Sequence, residues 1–101
     1  MVNNMEYIII PSTTRIVLPS RGYFTRGDSG ESIGVISSFL ACNFMGYANK
    51  LNERIEDMLG YYFGDHLFEW VKEFQRNNNL EDDGNIGPVT LETMRQYGLS
   101  L

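Results

Sequence analysis

The sequence is short of cations, of cysteine and histidine, and of long apolar runs. It has one cysteine, one histidine, and eight Lys and Arg against thirteen Asp and Glu. A lone cysteine makes neither an intramolecular disulfide nor a thiolate metal cluster. Cys42 therefore reads as a small buried side chain on a helix. The net charge of −5 and pI of about 4.7 leave no basic stripe. Arg15, Arg21 and Arg26 are diluted by apolar neighbours, which argues against nucleic acid and against an anionic membrane surface as partners. No apolar run approaches the ~18 residues of a membrane span. The opening "MVNNMEYIIIP" lacks the basic start and the apolar stretch of a signal peptide. Against these absences stand 43% apolar and 21% charged residues in 101 positions. That is the composition of one small folded domain with its own core.

Pro11 and Pro19 punctuate a β-branched opening, "EYIIIPSTTRIVLPS". Ile8–Ile10 and Thr14–Leu18 read as two short extended pieces, and proline places such pieces at a sheet edge. Residues 1–25 are thus expected to form a short β-rich extension: a linker, a small hairpin, or an edge for self-association into a homo-oligomer. A helical domain is expected over 26–101. Its first helix has Asp28 or Ser29 as N-cap, Glu31 in its first turn, Ile33, Ile36, Leu40 and Phe44 at helical spacing, and Gly46 as its stop. Gly34 lies inside it, where a close approach of another element explains the missing side chain. Leu51, Ile55, Met58 and Leu59 predict an extra short helix over 49–59, capped by Asn49. Asp65 caps a further helix with Leu67, Trp70, Val71 and Phe74 inward and Glu69, Lys72 and Glu73 outward. Pro88 opens the last helix, Leu91, Met94 and Tyr97 give its inner face, and Gly98 ends it.

The chain repeats itself. "YFGDHLFEWVKEF" aligns with "NIGPVTLETMRQY" at a constant offset of 23 residues, matching Phe63 to Ile86, Gly64 to Gly87, Phe68 to Leu91, Val71 to Met94 and Phe74 to Tyr97. Each copy is an apolar plug, a glycine, and an amphipathic helix. Gly87 is expected to adopt backbone angles that other residues avoid. Two copies suit a compact bundle with approximate two-fold symmetry, closed by the first helix.

Three signatures occur in order: Arg26-Gly27-Asp28-Ser29-Gly30 before the first helix, with Gly46-Tyr47 after it; Phe63-Gly64 with Trp70-Val71 and Phe74-Gln75; and Asn79-Leu80, Asp83-Gly84 and Gly87-Pro88-Val89-Thr90. Together they resemble the three-helix peptidoglycan-binding domain found in cell-wall hydrolases and phage endolysins, over Arg26 to Leu99. Gly60 and Trp70 depart from the family's usual Asp and Ala, and Ala48–Leu59 is longer than its usual connection. The resemblance implies a mainly α, three-helix bundle. It also implies a non-catalytic module that holds peptidoglycan while an attached or partner lytic enzyme, such as an endolysin, cuts it. It would act at the bacterial cell wall or outside the cell after release. The alternative is a protein-interaction or oligomerisation module of the same fold.

Residue chemistry agrees with a binding role. His66 beside Asp65 lacks a Gly-x-Ser-x-Gly or His-Glu-x-x-His context and reads as a surface helix residue. "EDDGN" matches a calcium loop from Glu81 through Asp83, Asn85 and Glu92, but Ile86 stands where glycine is required and Pro88 lies inside, so it reads as a structural turn. Glu56, Asp57 and Asp65 read as solvated. No carboxylate pair sits in an apolar context suited to glycosidase work. The expectation is no enzyme, no metal and no cofactor. Aromatic rings and amides suit a wall polymer, with its flat apolar sugar faces, hydroxyls, and peptide amines and carboxylates. Tyr47, Tyr61, Tyr62, Asn77, Asn78 and Asn85 are the candidate ligand contacts, placed between the two repeated turns and the first helix.

Overall fold

Helix-forming segments and the turns between them account for nearly the whole of the computed structural model, which describes residues 16–99. Five helices and no strand are found among them: α1 (Glu31–Asn43), α2 (Gly46–Leu51), α3 (Ile55–Met58), α4 (Asp65–Asn77) and α5 (Pro88–Gln96). The extended piece Ile8–Ile10 lies outside the described residues. From residue 16 onward the expected β-rich extension is not found. The chain there forms turns, with a single antiparallel bridge from Phe24 to Ile86. Ile16 and Phe24 are 5% and 6% exposed and belong to the main core.

α1 buries most of its circumference, from Ile33 to Ser37 and from Phe39 to Ala41. The solvent face is left to Glu31, Ser38, Cys42 and Asn43. Cys42 is exposed, contrary to the expectation of a buried thiol, because the apolar arc stops one position short of it. The N-cap is Gly30, since the Asp28 carboxylate is drawn backward to the Thr25 N–H and to Arg21. α1 ends at Asn43 with Phe44 as its C-cap, and Gly46 begins the next helix rather than stopping the last.

The single helix expected over 49–59 is two. Asn52 takes a left-handed conformation (φ 56°), and the Glu53 N–H turns back to the Ala48 carbonyl. Asparagine tolerates that conformation better than most residues, so the chain breaks there although the apolar spacing continues. α2 and α3 both pack on α4. Their lid accommodates Trp70, which is fully buried with its ring 5.7 Å from that of Tyr47. The same lid covers Glu73, expected on the solvent side and found 2% exposed, where it meets Lys50 at 2.6 Å and Asn77 at 3.0 Å. Leu59 and Tyr97, expected inside, are 46% and 49% exposed.

The repeat is realised in three dimensions. Phe63 and Ile86 are both fully buried. The glycines after them are the N-caps of α4 and α5 and have nearly the same backbone angles, φ −100° and ψ −169° at Gly64, φ −95° and ψ −167° at Gly87. These angles are open to any residue, so the expected special role of Gly87 is not one of backbone angle. The loop Phe24–Gly30 spans both plugs. Phe24 exchanges two backbone hydrogen bonds with Ile86, while Gly27 donates to the Phe63 carbonyl and Phe63 donates to that of Asp28.

Candidate functional site

Tyr61 and Tyr62 project from the turn between α3 and α4, 64% and 62% exposed. That turn is rigid. The Gly30 N–H donates to the Tyr61 carbonyl at 2.9 Å, and Tyr62 bridges Ser29. Behind it, the buried Ser37 hydroxyl of α1 donates to the Gly60 carbonyl at 2.9 Å and accepts from the Gly60 N–H at 3.1 Å. Each ring leans on a glycine. A Cβ on Gly34 would lie 2.4 Å from the Tyr61 ring, and one on Gly64 would lie 3.3 Å from the Tyr62 ring. The close approach expected at Gly34 is therefore made by Tyr61. One side of the Tyr61 ring is pinned to α1 and the rest faces solvent.

Beside the two rings lies a cleft of about 510 Å³, lined by Asp57, Met58, Leu59, Gly60, Gly64, Asp65 and His66 as well as the tyrosines. Its carboxylates are paired: Asp57 with Arg54 at 3.3 Å, Asp65 with Arg26 at 3.3 Å. The Arg54 hydrogen bond holds Asp57 below the usual carboxylate range. His66 Nδ1 meets Glu53 Oε1 at 2.5 Å. Leu59, Asp57 and His66 were not among the residues singled out from sequence for this role. The apolar spacing of Leu59 points to the core, and nothing local marks the other two.

The remaining candidates do not join this cleft. Tyr47 is 8% exposed, stacked on Phe44 at 5.1 Å between ring centres. Burial pushes its phenol above the usual range, and the hydrogen bond from Asn77 opposes this. Asn77 spends its amide on Tyr47 and Glu73. Asn78 donates to the Phe74 carbonyl and accepts from the Tyr97 hydroxyl at 2.8 Å. These three tie α4 to α2 and to the end of α5. Asn85 lies on the second turn, where its Oδ1 accepts from the Thr25 hydroxyl at 2.7 Å. There it lines a second cleft, of about 300 Å³, with Leu80, Glu81, Asp83, Gly87, Pro88, Val89 and Thr90. The space between the two turns, where one shared site was expected, is spanned by Phe24–Gly30.

No group of three or more metal-ligating side chains occurs among the described residues, and no helix there is long and apolar enough to cross a membrane.

No curated protein matches the chain. Among solved structures it is similar to a crystal structure of a periplasmic domain of the EpsAB fusion protein of the Vibrio vulnificus type II secretion system. The identity is 27% and the TM-score 0.54, over 72% of this chain. The similarity spans only 29% of that chain. The family model described as "Putative peptidoglycan binding domain" matches residues 44–94, which runs from the end of α1 through both plugs and into α5. With just over half of its length matched and both plug turns inside the match, the chain belongs to the peptidoglycan-binding domain family.

Proposed function

We propose that this chain is a non-catalytic module that binds peptidoglycan through the cleft beside Tyr61 and Tyr62, and that it holds an attached or partner lytic enzyme against the wall. The observation that carries the reading is the pair of adjacent, largely exposed tyrosines on a turn fixed by backbone bonds to the loop before α1. Adjacent exposed rings form an apolar patch suited to a ligand. An exposed tyrosine ring offers an apolar face to a sugar, and its hydroxyl can reach the sugar's own hydroxyls. Pre-ordering of the rings by Gly34 and Gly64 lowers the entropy lost on binding. Family membership supports the choice of polymer, and the periplasmic origin of the V. vulnificus relative supports a location at the wall or in the periplasm. Such a module needs only weak affinity, because tethering raises the local concentration of wall around its enzyme.

The test is co-sedimentation with purified sacculi of defined composition. The wild-type chain is expected in the pellet, with Tyr62→Ala shifting the bound fraction down by roughly tenfold in affinity. A chain that stays in the supernatant across several wall chemotypes overturns the reading. A second reading, a protein-interaction module, is favoured by the relative's place in a secretion-system protein. It predicts a defined oligomer or complex by light scattering and no pelleting with sacculi.

A further inference from the structure

We propose that the cleft at the second turn is a second subsite, which takes the amine-bearing stem peptide of the same polymer whose sugar stacks at the first turn. The inference rests on the peptidoglycan reading above. Its main support is the repeat. Leu80, Asp83, Asn85, Gly87, Pro88 and Val89 line the second cleft. Their counterparts 23 residues earlier, Asp57, Gly60, Tyr62, Gly64, Asp65 and His66, all line the first. Two cavities thus occupy the same place on two copies of one folded unit, each beside a buried plug and at the start of a helix. They are also close. Phe24 pairs with Ile86 and Asp28 accepts from Phe63, so only three loop residues lie between the two contacts, and the chain from Phe24 to Asp28 spans at most about 14 Å. One sugar with its attached peptide can reach across that span.

The two clefts differ in chemistry in a way that divides the ligand between them. At the position of Tyr61 the second turn has Gly84, and the space over it is filled from α4. A Cβ there would lie 2.2 Å from the Phe68 ring. That ring is covered on its outer side by Arg26, 4.0 Å from its centre. The second cleft therefore offers no free ring to a sugar. It offers an apolar wall of Leu80, Pro88 and the 65% exposed Val89, with the carboxylate of Glu81, that of Asp83, whose Oδ1 already accepts from Gln75 and from the Asn85 N–H, and no cationic lining residue. In the first cleft Asp57 and Asp65 are each paired with an arginine. A primary ammonium on an aliphatic stem is the group that complements the second cleft's lining, apolar and acidic. Asn85, with its Oδ1 held by Thr25, keeps its amide N–H for a peptide carbonyl.

The test is calorimetric titration of the full chain with four probes: a wall disaccharide, a free stem peptide, the disaccharide carrying that peptide, and the last with its side-chain amine acetylated. The joined ligand is expected to bind at least about tenfold tighter than either part. Acetylation, Glu81→Lys or Val89→Arg should each bring it to within about threefold of the disaccharide, with circular dichroism unchanged. A gain that persists through both substitutions, or that ignores acetylation, overturns the second subsite. If sacculi and disaccharide bind in a Tyr62-dependent way but the peptide adds nothing, the second subsite alone falls. If no probe and no sacculi bind, the peptidoglycan reading falls and takes this inference with it.

Discussion

Gly34 and Gly84 are small for opposite reasons. At Gly34 the backbone is ordinary helix and the pressure comes from the Tyr61 ring, whose Cε1 would lie 2.4 Å from an added Cβ. That ring is 64% exposed and can swing outward. Replacing a helical glycine by alanine gains up to about 1 kcal/mol of helix propensity. Gly34→Ala should therefore leave the unfolding free energy within about 1 kcal/mol of wild type, while sacculus binding falls severalfold because the ring is displaced. Denaturant titration and co-sedimentation on the same sample separate the two effects. At Gly84 the backbone itself is left-handed, φ 79°, and the Phe68 ring lies half-buried over it. Gly84→Ala meets both the left-handed penalty and an overpacked contact, and should cost about 2–4 kcal/mol. The same denaturant titration checks it, and a loss below 1 kcal/mol would mean that the turn relaxes freely.

At the scale of the element, each repeated turn is held from behind by a polar side chain of the preceding long helix: Ser37 on α1 for the first, Gln75 on α4 for the second. Gln75 is 1% exposed. Its Oε1 accepts from the Gly84 N–H at 2.9 Å, and its Nε2 reaches the Asn85 carbonyl at 2.8 Å and the Thr90 hydroxyl at 3.1 Å. Gln75→Leu keeps the volume but orphans a buried N–H and carbonyl, at roughly 1–3 kcal/mol each. We expect a loss of about 2–4 kcal/mol by calorimetry, with amide exchange rising first at residues 83–90. Glu73 joins α4 to α2 and its titration is readable. The Lys50 hydrogen bond, opposed by burial and helped by Asn77 and Arg76, holds its carboxyl below the ordinary value of 4.5. A lowered folded-state pKa contributes stability that is complete above the unfolded value and is lost as pH falls through the folded one. The stability gap between wild type and Glu73→Gln should therefore be widest at neutral pH and should close on acidification below 4.5, as followed by urea titration at several pH values.

For the whole molecule, the segment before α1 is structural. Phe24 is 6% exposed, bridges Ile86 and packs into the main core together with Ile16. Phe24→Ala should cost about 3–5 kcal/mol, most of what a domain of this size has to spare. A chain cut to residues 26–101 should lose cooperative thermal unfolding. If it melts as sharply as the full chain, the bridge between the plugs is dispensable. The loop Phe24–Gly30 touches both halves of the repeat, and Gln75 of α4 and its C-cap Asn78 bond the first half directly to the second, although each half carries its own cleft.

What could be read along the chain is what depends on near neighbours. The long helices, the 23-residue repeat and the burial of Phe63 and Ile86 follow from spacing and from turn chemistry, which act over a few residues. The three ordered signatures led to the family for the same reason. That at least one of Tyr61 and Tyr62 faces water follows from their place beside a buried plug. The rest was decided by what lies across the fold. Tyr47 and Glu73 are buried because α2 closes over Trp70. Cys42 is exposed because the apolar arc of α1 ends beside it. The 49–59 helix splits because Asn52 takes a left-handed turn, and the separate clefts at the two turns are set apart by a loop 30 to 60 residues away in sequence. Burial is a property of facing surfaces, and pairings over that distance leave no periodic trace in either partner.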